Sequence, residues 1–208
     1  NNGWGIAERF ARRLPPERIF NATITTGFRR DSWTRVEITV HGDHIHIGSL
    51  FGQPEAIVAS LCAAIAAGGI PCLPSATMEQ DLWAKLLYNC ALNPLAALLG
   101  VAYGALAEDP ARRAILEAVV REIFEVLRAT GRQTRWTSAD AYLDFFFRGL
   151  LPPTREHESS MLQDLRARRP TEIDALCGAV VELASQAGVD APVNAALASL
   201  VRAREQSA

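Results

Sequence analysis

The chain has 208 residues, 49% of them hydrophobic and 21% charged, with a formal net charge of -2. That composition excludes a disordered or fibrous chain and fits one large domain or two small ones. A near-neutral balance gives no long-range pull toward nucleic acid or acidic lipid, so Arg12-Arg13, Arg29-Arg30 and the arginines of 166–169 read as solvated faces or local anion contacts.

Taken in chain order, residues 5–14 read as a short helix ended by Pro15-Pro16, and Ile19 to Thr26 as a strand. "RVEITVHGDHIHIGSL" predicts a hairpin: residues 35–41 alternate, Gly42-Asp43 turns, and 44–47 return. Pro54 to Ala67 reads as a helix stopped by Gly68-Gly69, and Ile70 to Leu73 as a short strand. After about Thr77 the strand signals vanish. Residues 78–99 carry helical spacing of apolar residues. Asp109-Pro110 is an N-cap followed by proline at the first helical position, with Gly131 beyond that helix. Further helices are predicted over 139–147, 156–166, 171–187 and from Pro192 to about Arg204. The fold class is mostly α: a partial α/β unit over 1–76, then an all-helical domain over 77–208.

The opening residues 1–6 are polar and glycine-rich, unlike a secretory leader. The longest apolar run, 94–107, is shorter than the ~20 residues of a membrane helix and is interrupted by Gly100 and Gly104, so no membrane partner is expected. Cys62, Cys72, Cys90 and Cys177 form no CxxC and sit in apolar segments; they read as reduced core thiols in a cytoplasmic protein.

Within "DLWAKLLYNCALNPL", Lys85, Asn89 and Asn93 stand four residues apart, and at 3.6 residues per turn they drift only ~80° around the axis. They therefore share one stripe. Two readings fit it: the wet face of an amphipathic helix, or polar groups presented into a cleft. The stripe has few charges for a wet face, and buried amides need partners that substrate oxygens could supply. Pro94 cannot donate to the carbonyl of Cys90, so a bend or opening is expected near Asn93. In "HESSMLQDLRARRPTEID", Ser159 and Ser160 stand at a helix start and Glu172 in the first turn of the next, which capping alone explains residue by residue. Asn2-Gly3 is a turn dipeptide. His41, His44 and His46 lie within six residues, but no carboxylate or cysteine completes a ligand pattern. They read as exposed hairpin residues, and no metal site is predicted.

Together these segments resemble the ketopantoate reductase (2-dehydropantoate 2-reductase) family. "LWAKLLYNCALNPLAAL" is similar to its central motif, and "SSMLQDLRARRPTEIDALCGAVV" to its second signature, down to the spacing between Ser160 and Glu172. "NATITTGFRR" and "VHGDHIHIGSL" resemble its glycine-bearing strand and hairpin. The resemblance implies the last part of a Rossmann-like NADP-binding domain, followed by a helical substrate domain of the 6-phosphogluconate-dehydrogenase-like kind. It implies transfer of a hydride from NADPH to the ketone carbon of a 2-oxo acid, ketopantoate by default. By resemblance Lys85 is the general acid, and Asn89 and Asn93 hold the hydroxyl and carboxylate ends of the substrate. Ser160 binds the carboxylate, Glu172 orients Lys85 or the nicotinamide ribose, and Asn2 lies near the nicotinamide.

The family's nucleotide domain opens with G-x-G-x-x-G, a spacing absent from these residues. The chain therefore reads as the catalytic half of a parent protein, inactive alone, with an open sheet edge in its first part. Phe28, Arg29, Arg30 and His157 depart from the family's usual residues near the substrate side, which leaves open a 2-oxo acid other than ketopantoate. A contrasting reading is a non-catalytic helical interaction fragment, for which a homodimer through apolar helices is the natural partner.

Overall fold

The computed structural model describes residues 2–41 and 43–207. Gly42 and the side chains of Phe28, Arg29, Arg30, Thr39, Val40 and His41 lie outside that description. The chain forms two compact units: Ile6–Leu82, and Trp83–Ala208 joined by the N-terminal segment up to Gly5.

The first unit holds helix α1 (Ile6–Ala11), strands β1 (Asn21–Thr23), β2 (Thr26–Arg30), β3 (Val36–His41) and β4 (Ile45–Gly48), helix α2 (Ala59–Ala67) and strand β5 (Cys72–Pro74). β4 is the middle of a three-stranded sheet, antiparallel to β1 and parallel to β5. Its alternation puts Ile45 and Ile47 into a small core with Val58, Cys62 and Cys72. The expected β3–β4 hairpin is not formed. β3 pairs instead with β2 in a separate ribbon, in which His41 stands opposite Thr26. β4 has β1 and β5 on its two sides, and its isoleucines pack with Cys72 of β5 and with Val58 and Cys62, which leaves β3 to its other sequence neighbour. Nor is His46 an exposed hairpin residue. Its imidazole, 17% exposed, lies 3.8 Å from the Asp81 carboxylate and 3.5 Å from Asp43. The strand expected over 19–26 is split, with β1 entering one sheet and β2 the other. Among the described residues both outer strands of the larger sheet have a partner on one side only. α2, apolar nearly throughout, buries only Cys62, while Ile57 and Leu61 beside it are more than half exposed.

Helix α3 (Met78–Leu99) is the longest element. By length and composition it would pass as a membrane span, but 67% of its apolar window is buried inside the protein. In the second unit its Trp83–Ala97 stretch forms the middle of the core. Around it lie α4 (Tyr103–Glu108), α5 (Pro110–Ala129), α6 (Ala139–Phe145), α7 (Ser160–Arg166), α8 (Cys177–Ala187) and α9 (Pro192–Gln206). The Asp109 carboxylate caps α5 by accepting from the Arg112 N–H at 2.9 Å. Sequence spacing over-extended three helices of this unit, as it did α1 and α2 in the first. α6 widens into a π-type turn over Phe146–Leu150, and α7 begins at Ser160 because Ser159, wholly buried, caps it by accepting from the Leu162 N–H. The helix expected over 171–187 is a short 3-10 turn, Ile173–Ala175, separated from α8 by Leu176 at φ -98, ψ -106.

α3 runs unbroken through Pro94, so the expected opening does not occur. The carbonyl of Cys90, which Pro94 cannot satisfy, instead faces the Cys177 thiol at 4.0 Å, long even for a sulfur donor.

Candidate active site

The site is built on α3 within the second unit. Lys85 is half-buried, Asn89 is 8% exposed and Asn93 is 4% exposed, so the polar stripe runs inward along the helix. This removes the wet-face reading, because neither carboxamide is at the surface. Burial pulls the pKa of Lys85 down from its ordinary value, and the Glu172 carboxylate acts in the opposite sense by favouring the ammonium.

Glu172 stands just before the 3-10 turn that precedes α8, and its carboxylate is held from the far end of the sequence. Its two carboxylate oxygens accept from Asn2, one from the main-chain N–H at 2.7 Å and one from Nδ2 at 2.6 Å. The segment carrying Asn2 is fixed behind it. The Trp4 N–H donates to the Ala175 carbonyl at 2.8 Å. The Trp4 indole stacks on Trp83 at 4.7 Å, and the Arg132 guanidinium lies 4.7 Å from the Trp4 ring. Gly3, at φ +104, is required here, since a Cβ would stand 2.1 Å from the Ala175 carbonyl oxygen.

The structure thus brings together Asn2, Glu172 and Lys85, with Asn89 and Asn93 following Lys85 along one helix. Ser160 is the exposed first residue of α7, and among the described residues no hydrogen bond joins it to the others. The Asn89 carboxamide likewise has no hydrogen-bond partner among the described residues. Asn93 has one: the Tyr103 hydroxyl donates to its Oδ1. Sequence reasoning missed Tyr103, which lies in an apolar stretch with no motif around it. It also missed Tyr88, whose hydroxyl donates to Thr154 at 2.8 Å and whose phenol burial pushes up to about 12. The His157 ring lies 5.3 Å from that of Tyr103; burial lowers its pKa, opposed by Glu158. Among the described residues no group of three or more His, Cys, Asp or Glu could hold a metal ion.

An ammonium balanced between burial and a carboxylate, beside two buried carboxamides, can bind an oxyanion and deliver a proton to an oxygen that gains charge. Residues 77–205 match the family described as ketopantoate reductase PanE/ApbA C terminal. The chain is 36% identical over 205 residues to the 2-dehydropantoate 2-reductase of Aquifex aeolicus (strain VF5), covering 98% of this chain and 66% of that one. It superposes with a TM-score of 0.84 at 28% identity on a PanE/ApbA family ketopantoate reductase from Ralstonia eutropha JMP134, over 99% of this chain and 65% of that one. A D-mandelate dehydrogenase solved with NADH and anilino(oxo)acetate shares the fold, with a TM-score of 0.83 at 23% identity over 99% and 66% of the two chains. The chain spans just under two thirds of the length of these relatives. On the extent of these matches, with the lysine–carboxamide helix inside the matched region, the chain belongs to the ketopantoate reductase family.

Proposed function

We propose that this chain is the lysine-bearing, substrate-binding part of an NADPH-dependent reductase of 2-oxo acids, with ketopantoate as substrate and pantoate as product. The observation that carries this reading is Lys85: a half-buried ammonium, set against Glu172, at the head of a helix stripe of two buried carboxamides.

The nicotinamide cofactor, when bound, supplies the hydride. Asn2 and Glu172, half-exposed and bonded to each other, are the described residues that fit its nicotinamide end. The diphosphate finds no cradle among them. Gly68-Gly69 follows the C-terminus of α2, the negative end of the helix dipole, which disfavours an anion. The phosphate-binding part of the site is therefore assigned to the parent protein outside these residues, and this chain alone is expected not to turn over.

Lys85 does the acid–base work. As the ketone carbon gains its new C–H bond, the C=O π pair moves onto oxygen. The Lys85 ammonium stabilises that charge, then releases a proton to form the hydroxyl and becomes a neutral amine, which solvent reprotonates. Burial eases that release by lowering the lysine pKa, and Glu172 keeps the ammonium populated beforehand. Asn89, Asn93 and Ser160 hold the polar ends of the substrate. The four cysteines, all buried and unpaired, suit a cytoplasmic setting.

The test is Lys85→Ala in the full-length protein, assayed with NADPH and ketopantoate. Loss of the acid should lower kcat by about 10²–10⁴-fold while the thermal unfolding profile stays that of the unsubstituted protein. Turnover at the unsubstituted rate would remove the assignment of Lys85.

A further inference from the structure

We propose that Tyr103 is a positioning residue: its phenol turns the Asn93 carboxamide so that Nδ2 alone meets the substrate and demands an acceptor there, a carboxylate or keto oxygen, rather than a hydroxyl donor. The proposal rests on the reductase reading and divides the work of its two carboxamides.

The phenol is placed from several sides. Tyr103 is 3% exposed, and its main-chain N–H donates to the His157 carbonyl at 3.2 Å. The next N–H, of Gly104, donates to the Arg155 carbonyl at 2.8 Å. That approach needs glycine, because a Cβ on Gly104 would lie 2.9 Å from the Arg155 Cβ and 3.1 Å from its carbonyl oxygen. The ring meets Tyr88 edge-on at 6.0 Å and the tilted His157 ring at 5.3 Å, and Tyr88 is itself tied to Thr154. A phenol so held cannot follow the carboxamide; the carboxamide must follow the phenol. Burial raises the Tyr103 pKa, so the hydroxyl remains a donor at any working pH.

A donor aimed at Asn93 selects one of its two orientations, since only Oδ1 accepts. What is left is an NH2 group with two donors and no acceptor among the described residues. Asn89 has no such tether and can turn either its oxygen or its nitrogen to a ligand. Asn93 therefore takes an oxygen that carries no proton, and Asn89 is the carboxamide free to accept from a hydroxyl.

The experiment is a double-mutant cycle in the full-length protein, with ketopantoate as the probe. Tyr103→Phe keeps the ring and releases Asn93, so KM should rise about tenfold with kcat changed less than about threefold. In an Asn93→Ala background the same substitution should change KM by less than about twofold. Equal KM effects in both backgrounds, or an unchanged KM in the single variant, would overturn the proposal. Asn93→Asp gives an independent arm. It keeps an acceptor for the phenol but presents an anion, so binding of the 2-oxo acid should fall by at least about a hundredfold with the fold retained. Binding within a fewfold of the unsubstituted protein would show that the outward atom was already an oxygen and defeat the proposal. If the protein reduces no 2-oxo acid, the reductase reading fails on its own. The tether is then read by NMR: the Asn93 carboxamide carbon should move upfield in Tyr103→Phe, and an unmoved resonance refutes it.

Discussion

Gly3→Ala is the sharpest structural perturbation available near the site. A Cβ at this position would sit 2.1 Å from the Ala175 carbonyl oxygen and 2.6 Å from its carbonyl carbon, both main-chain atoms that no rotamer change can move. The segment must undock. That forfeits the Trp4–Ala175 hydrogen bond and both Asn2–Glu172 bonds, at about 1 kcal/mol each. It also forfeits the Trp4–Trp83 stack, at about 1 kcal/mol, and the burial of the Trp4 indole, at about 2 kcal/mol. Against that loss of roughly 6 kcal/mol, residues 2–5 regain backbone freedom of about 1 kcal/mol each. The net cost is therefore about 2 kcal/mol, a fall in Tm of roughly 4–8 °C for a chain of this size. Gly5 supplies the control: its φ is +84, but nothing lies within 4 Å of its Cβ position, so Gly5→Ala bears only the left-handed backbone cost, about 1–2 kcal/mol, and stays docked. Thermal unfolding measures the totals, and acrylamide quenching of tryptophan emission separates the cases. Gly3→Ala should expose one indole to quencher and Gly5→Ala none. Identical quenching in the two variants would refute the clash argument.

The pH dependence follows from the opposing influences on Lys85. A general acid works while protonated, so activity is lost as pH rises through the lysine pKa. Glu172→Gln removes the influence that raises that pKa and leaves the burial that lowers it. The alkaline limb of kcat/KM should move to lower pH, and a limb that stays in place would show that Glu172 does not act on Lys85.

The helical unit was legible because its signals are local. Apolar spacing gave α3 both of its ends, and Asp109-Pro110 marked the start of α5 through a cap that needs only its own turn. The strands were harder, because alternation identifies a strand without naming its partner. β4 looked like the return arm of β3, but it pairs with β1 and β5, and its Ile45 and Ile47 are buried there. In the site, Lys85, Asn89 and Asn93 could be placed on one stripe from helix geometry alone. Asn2 and Glu172 entered as separate residues, only through resemblance, and their pairing across 170 positions was not foreseen. Tyr103 gave no signal, since its bond to Asn93 depends on how tightly the 103–104 turn packs against residues 155–157.

The proline in the long helix has an evolutionary corollary. Pro94 leaves the Cys90 carbonyl without its helical donor, and the Cys177 thiol is the group that faces it. Residues on two different helices are thereby made mutually contingent. Cys177→Ala in the presence of Pro94 removes that long, weak contact to a buried carbonyl, at roughly 0.5 kcal/mol beyond the lost packing. With alanine at position 94 the helix supplies its own N–H, and the same change at 177 should cost only the packing. The unfolding free energies of the two single variants and the double variant should then be non-additive, with Cys177→Ala cheaper in the Pro94→Ala background; strict additivity would deny the link. Substitutions at these two positions would accordingly be accepted in an order, the helix regaining its donor before the thiol is released.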